Sequence, residues 1–116
     1  SVVCLLGDLA AGKTTLMKGL VSSLTGAREE DVISPTFVLL NIYEGPLAVY
    51  HFDLYRLKGS DEFLSMGFDE YLHAGGVSCI EWSERILDIL PKNALFVELK
   101  RMGEEVREIR IEGIGL

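Results

Sequence analysis

The sequence predicts an α/β domain built on a mixed sheet, parallel at its centre and edged by antiparallel hairpins, and three observations predict it. The apolar run Val2-Val3-Cys4-Leu5-Leu6 leads through a glycine-containing loop into an amphipathic stretch, the strand-loop-helix opening of a parallel sheet. Two pairs of strand-like runs are separated by short turn signals, at Glu44-Gly45-Pro46 and around Met102-Gly103. A compact apolar run, Val77-Ser78-Cys79-Ile80, stands between helical stretches, where a buried parallel strand belongs.

Taken in order, the first helix is expected over Thr15 to Leu24. Leu16, Met17, Leu20, Val21 and Leu24 recur there at helical spacing and form a core stripe, while Lys18, Ser22 and Ser23 face away. Gly26 is placed to cap its C-terminus, and Arg28 to Asp31 reads as a solvated loop. Ser34-Pro35-Thr36 punctuates the chain before a strand over Phe37 to Tyr43, which the turn at Gly45 joins to a second strand over Leu47 to Phe52. Short helices follow at Ser60 to Met66 and Asp69 to His73, ended by Gly75-Gly76. After the run that closes on Glu81, Ser83 reads as the N-cap of a helix over Glu84 to Leu90, which Pro91 stops. Two last strands, Ala94 to Lys100 and Val106 to Glu112, complete the order.

The 116 residues suit a single domain with one core. No apolar run approaches the roughly 20 residues that span a bilayer, and no charged-then-apolar leader precedes the first strand. A soluble, cytoplasmic protein is therefore expected. Because Ser1 leads straight into a core strand, the natural chain is expected to begin earlier than this one. A net charge of −7 argues against direct nucleic-acid binding, which relies on a basic surface. Cys4 and Cys79 each lie within an apolar run, without a C-x-x-C or Cys/His companion, and read as buried free thiols.

The loop after the first strand carries the chemistry. Gly7-Asp8-Leu9-Ala10-Ala11-Gly12-Lys13-Thr14 fits the phosphate-binding pattern G-x-x-x-x-G-K-[ST] at every fixed position. Such a loop meets a polyphosphate with several backbone N–H groups at once, so Asp8, Leu9, Ala10, Ala11 and Gly12 are expected to form the cradle, and the helix N-terminus adds its positive end. Lys13 would reach the outer phosphates, Thr15 would fix the inner ones, and the Thr14 hydroxyl would bind the Mg²⁺ that bridges them. Ala10 occupies a place where many such loops carry glycine. If φ is positive there, the alanine costs on the order of 1 kcal/mol and weakens binding without abolishing it.

Hydrolysis needs a second carboxylate on the metal and a group that orients water. Two apolar strands end in an acid, at Asp53 and at Glu81. Glu81 is favoured as metal ligand because its strand is apolar throughout, as expected beside the first strand. Asp53 ends a hairpin strand, where it would bind metal through water or position a nucleophile. The alternative for either acid is a helix cap or an ion pair with Arg56 or Arg85. Thr36, in a loop after the first helix, stands where phosphate-loop switch proteins place a threonine that senses the terminal phosphate. Its alternative is a simple turn residue. His51 reads as a core or edge histidine before a general base, and His73 as exposed. Trp82 divides evenly between packing and a partner or nucleotide contact.

Several stretches together resemble one family. They are Gly7 to Thr15, then Ser34-Pro35-Thr36-Phe37, then Tyr50-His51-Phe52-Asp53-Leu54-Tyr55-Arg56-Leu57, then Met66-Gly67, then Glu81-Trp82. In this order and spacing the chain resembles the TsaE (YjeE) family of bacterial P-loop ATPases, from the first strand to about Pro91, and the H-F-D-L-Y-R-L stretch is the most discriminating. The resemblance implies a three-layer domain of the P-loop NTPase type, and ATP and Mg²⁺ as cofactors. It implies a role in the threonylcarbamoyl modification of the adenosine next to the anticodon in tRNA, with slow ATP hydrolysis on a TsaD–TsaB complex. It also implies Thr14 and Glu81 as Mg²⁺ ligands, the loop through Thr15 as phosphate cradle, Thr36 as a switch residue and Asp53 as important for hydrolysis. Arg107, on the closing hairpin, would reach the nucleotide. The family's glycine at the place of Ala10, and its leading segment before the first strand, are the two departures.

Three readings of function follow. The first is an accessory ATPase that resets a partner complex, in keeping with the acidic surface. The second is a P-loop small-molecule kinase with His51, Asp53 and Arg56 lining an acceptor site, against which stands the lack of an arginine-rich lid. The third is a nucleotide-gated binding module whose hydrolysis is incidental.

Overall fold

The computed structural model describes residues 1–7, 13–28, 30, 32, 39–101 and 107–113, with the side chains of 14, 101 and 107–110 outside that description. Its frame is a six-stranded sheet. The strands are β1 (Val2–Gly7), β2 (Leu40–Tyr43), β3 (Val49–Asp53), β4 (Val77–Glu81), β5 (Leu95–Arg101) and β6 (Arg107–Gly113), and their order across the sheet is β2-β3-β4-β1-β5-β6. Pairing is parallel from β3 through β4 and β1 to β5, while β2 and β6 lie antiparallel on the two edges. A parallel centre needs cover on both faces, and the residues provide it. On one face Leu5, Val49, Cys79 and Val97 pack beneath Met17 and Val21 of α1 (Lys13–Thr25). On the other, Val2, Cys4, Phe52 and Ile80 meet Phe63 of α2 (Ser60–Ser65) and Leu72 of α3 (Asp69–Leu72). The result is three layers with the sheet in the middle.

The alternation of strand residues sorts side chains between these faces. In β3, Tyr50 and Phe52 face the short helices, and Phe52 joins Phe63 and Phe68 in a triangle of rings with centroids 5.5 to 5.6 Å apart. Each such pair adds about 0.5–1.5 kcal/mol beyond its area. Val49, His51 and Asp53 therefore face α1. On α1 the expected stripe is the buried one: Met17 and Val21 are buried, and Leu16, Leu20 and Leu24 pack against the same cluster. Gly26 ends the helix at φ 80° with its N–H on the Ser22 carbonyl, 3.0 Å, as its capping place requires.

One local element departs from expectation. Ser83–Ile89 winds as a kinked 3-10 helix rather than an α-helix, with Ile86 off helical geometry at φ −135°. A 3-10 helix eclipses residues three apart, which puts Ser83, Ile86 and Ile89 on the core side. Ser83 makes no capping hydrogen bond; it is buried, and its hydroxyl meets the Cys4 thiol. The N-cap place belongs instead to Trp82, in the left-handed region at φ 62°, ψ 41°.

Candidate functional site

The site is assembled where three parallel strands end. β1 closes on Gly7 at φ 127°, and a Cβ placed there would lie 2.3 Å from the Leu99 carbonyl oxygen of β5. Only glycine tolerates both the angle and the approach. Across the sheet, Leu5 of β1, Glu81 of β4 and Asp53 of β3 stand in register, so the two acids share one row, on the α1 face, beside the strand that feeds the phosphate loop. Lys13 opens α1 directly above this row. Its side chain is 11% exposed, and its Nζ lies 3.8 Å from Glu81 Oε1.

Glu81 is gripped more tightly from the opposite side. His51 Nε2 donates to Glu81 Oε2 at 2.8 Å. Burial alone would push the Glu81 carboxyl up, but the His51 hydrogen bond, the His51 charge and Lys13 together outweigh it and hold the group below its ordinary value. His51 is itself buried, 2% exposed, and its Nδ1 has no hydrogen-bond partner among the described residues. Asp53 is half-buried, and its Oδ1 accepts the Tyr55 N–H at 3.1 Å, a local turn that fixes the carboxylate at the strand's end. Thr15 is exposed on the first turn of α1.

Beyond Glu81 the chain forms an aromatic ledge. The Trp82 ring lies 5.0 Å from that of Tyr55, and the Arg85 guanidinium sits 5.9 Å from the Trp82 centroid while donating to the Tyr55 carbonyl. Trp82 also lines a small cleft with Leu5, Leu6, Gly7, Lys13 and Glu84, so packing and exposure toward the site coexist in this residue. A left-handed tryptophan costs roughly 1–2 kcal/mol, which the ring contacts help offset.

Of the residues singled out in the sequence, Lys13, Asp53 and Glu81 come together at the carboxyl edge of the parallel strands, where ligands of α/β sheets bind. Asp8, Leu9, Ala10, Ala11, Gly12 and Thr36 lie outside the described residues, as do the side chains of Thr14 and Arg107. The backbone of Arg107 begins β6, paired with Arg101. His73 is exposed, as expected. His51 is buried, as expected of a core histidine, but its contact with Glu81 was missed by sequence reasoning. Its position two before Asp53 in a strand puts it on the same face as both acids, and that was the available signal. Its burial against Glu81 also removes it from any acceptor site of the kinase kind.

The profile of the family described as Threonylcarbamoyl adenosine biosynthesis protein TsaE matches residues 1–109. The chain belongs to the TsaE family. Two curated TsaE proteins, each named tRNA threonylcarbamoyladenosine biosynthesis protein TsaE, are among the similar relatives. That of Treponema pallidum is 42% identical over 111 residues, covering 96% of this chain and 81% of the relative. That of Bacillus subtilis is 43% identical over 115 residues, covering 98% and 70%. Among solved structures, the crystal structure of Bacillus subtilis YdiB superposes with a TM-score of 0.76 at 36% identity, covering 99% of this chain and 69% of that one.

TsaE is a nucleotide-binding family, and the residues present fit a magnesium ion that arrives with phosphates. Among the described residues no group of three or more His, Cys, Asp or Glu side chains could cage a metal. What the site offers is one largely buried carboxylate whose ionised form is favoured, a hard oxygen donor. Mg²⁺ keeps several waters and takes one or two protein oxygens plus the substrate's phosphates, so a sparse donor set is the appropriate one.

Proposed function

We propose that this chain is a Mg²⁺-dependent ATPase that serves the threonylcarbamoyl modification of the adenosine next to the anticodon in tRNA, in the cytoplasm, as an accessory to a TsaD–TsaB complex. The observation that carries the reading is the pairing of Lys13 with Glu81, 3.8 Å apart and both largely buried, where β1 gives way to α1. A buried lysine and a largely buried acid so placed are suited to a polyphosphate and its counter-ion. The names of the relatives supply the biosynthetic context.

In this reading Asp8 to Thr15 cradle the phosphates, with Lys13 neutralising the outer ones and the Thr15 hydroxyl fixing the inner ones by hydrogen bonding. Thr14 and Glu81 hold Mg²⁺, which when bound draws charge from the phosphate oxygens. Asp53, tethered through Oδ1 by the Tyr55 N–H, keeps its second oxygen to orient the attacking water. Thr36 serves as the switch that senses the terminal phosphate, and Arg107 approaches the nucleotide from β6. The acidic chain, with its net charge of −7, leaves tRNA contact to its partners. No helix among the described residues is long and apolar enough to cross a membrane.

The test has two stages. ATP with Mg²⁺ should raise the melting temperature of the wild-type chain, and Lys13→Ala should abolish that shift; an unchanged shift in the variant refutes the loop assignment. Phosphate release should then rise when the TsaD–TsaB pair is added. Glu81→Ala should remove the Mg²⁺ dependence of binding more than Asp53→Ala does, and the reverse ranking would exchange their roles.

A further inference from the structure

We infer that His51 is a positioning residue for the metal-binding carboxylate: its Nε2–H holds Glu81 by one oxygen so that the other is presented, already oriented, toward Lys13 and the incoming nucleotide. The inference rests on the reading of Glu81 as a magnesium ligand and adds a residue to it.

Three observations carry it. The first is the asymmetry of the two contacts on Glu81. His51 lies at hydrogen-bond distance from Oε2, 2.8 Å, whereas Lys13 stands 3.8 Å from Oε1, too far for a good hydrogen bond. One carboxylate oxygen is therefore committed and the other is only loosely attended. The second is burial. The His51 side chain is 3% exposed against 15% for Glu81, so the imidazole sits behind the carboxylate, on the core side, and leaves the solvent side open. A carboxylate held from behind keeps its working oxygen and loses its rotational freedom before the ligand arrives, as supporting hydrogen bonds do around metal ligands.

The third observation is the unpartnered nitrogen. An ionised carboxylate only accepts, so the proton of the short contact sits on Nε2. Nδ1 has no hydrogen-bond partner among the described residues. A histidine placed merely to satisfy the sheet would be expected to use both nitrogens. The ring hydrogen bond that His51 does make goes to Glu81, and its neighbour in register on β4 is the thiol-bearing Cys79. The backbone explains why the two residues meet. His51 is two residues before Asp53, which is in register with Glu81, so a long imidazole reaching one pleat along the α1 face arrives at the carboxylate from behind.

The experiment compares two amide replacements. The Gln side-chain nitrogen of His51→Gln reaches the place of Nε2, while that of His51→Asn stops at the place of Nδ1. The readout is the Mg²⁺ concentration giving half the ATP-induced thermal stabilisation, with each variant's urea midpoint without nucleotide as the control for folding. His51→Gln should stay within about threefold of wild type, and His51→Asn should need about 10–100-fold more Mg²⁺. If wild type responds to Mg²⁺ and His51→Asn responds identically, the inference is overturned and the functional reading stands. If wild type binds ATP with no dependence on Mg²⁺, the functional reading fails and takes this inference with it. Should either variant fail to fold, long-range proton–nitrogen NMR of the wild-type chain without nucleotide decides the matter: a proton on Nε2 supports the proposal, whatever Nδ1 carries, and an Nε2 without a proton overturns it.

Discussion

Replacing Gly7 by alanine tests whether the turn from β1 into the phosphate loop depends on a close backbone approach. The Gly7 φ of 127° lies where an L-residue is strained, at a cost of about 1–3 kcal/mol. The added methyl would also meet the Leu99 carbonyl oxygen at 2.3 Å, and this oxygen belongs to the residue in register with Gly7 on β5. It cannot retreat without opening the β1–β5 ladder, so a further cost of about 1–3 kcal/mol for overpacking is expected. The sum, about 2–6 kcal/mol, is a large share of the roughly 5–15 kcal/mol that holds a domain together. Gly26 supplies the control, since its φ of 80° is also positive but a Cβ there has no atom within 4 Å. Gly26→Ala should therefore cost only about 1 kcal/mol. In urea unfolding monitored by Trp82 fluorescence, Gly7→Ala should lose at least about twice as much stability as Gly26→Ala. In thermal unfolding the Gly7 variant should melt about 8–24 °C lower than wild type, at about 4 °C per kcal/mol. Equal losses in the two variants would refute the close approach and leave backbone strain alone.

Two further predictions concern the buried titratable groups. Burial pushes the thiols of Cys4 and Cys79 up to about 11 and about 12, so on the order of a thousandth or less is thiolate at pH 8. A disulfide reagent should leave both unmodified in the native chain and titrate both in urea, and rapid labelling of either without denaturant would contradict their burial. Glu81 is held below its ordinary value, so its contribution to folding is fully present above that value and is lost as pH falls through the lowered one. Without nucleotide, the stability gap between wild type and Glu81→Gln should therefore shrink as pH is lowered from 7 to 3, and a gap constant over that range would show that His51 and Lys13 do not favour the ionised form.

Much of this architecture is legible locally because the signals are local. Five apolar residues, a glycine loop and a helical stripe from Leu16 to Leu24 specify β1 and α1 by period alone. Gly45 marks the turn of the β2–β3 hairpin, and β5 and β6 pair antiparallel as expected, while the turn signal around Met102-Gly103 lies outside the described residues. The apolar character of Val77 to Ile80 predicts a central strand, and β4 does lie between β3 and β1. The Ser83 segment misleads because a serine before a helical stretch is ordinarily a cap, whereas here its hydroxyl turns inward to Cys4, a residue 79 positions away. Trp82 in a left-handed turn is equally invisible, since no propensity scale favours it there.

From residue order alone come the element types, the phosphate loop, the two acids at strand ends and the family. These depend on periodicities and spacings within a few residues of each other. Tertiary structure alone decided that Asp53 stands in register with Glu81, that Lys13 hangs over them, and that His51 grips Glu81 from the core side. Those contacts join residues about 30 to 70 positions apart through strand order and register, which arise from packing two faces of one sheet and leave no local periodic trace.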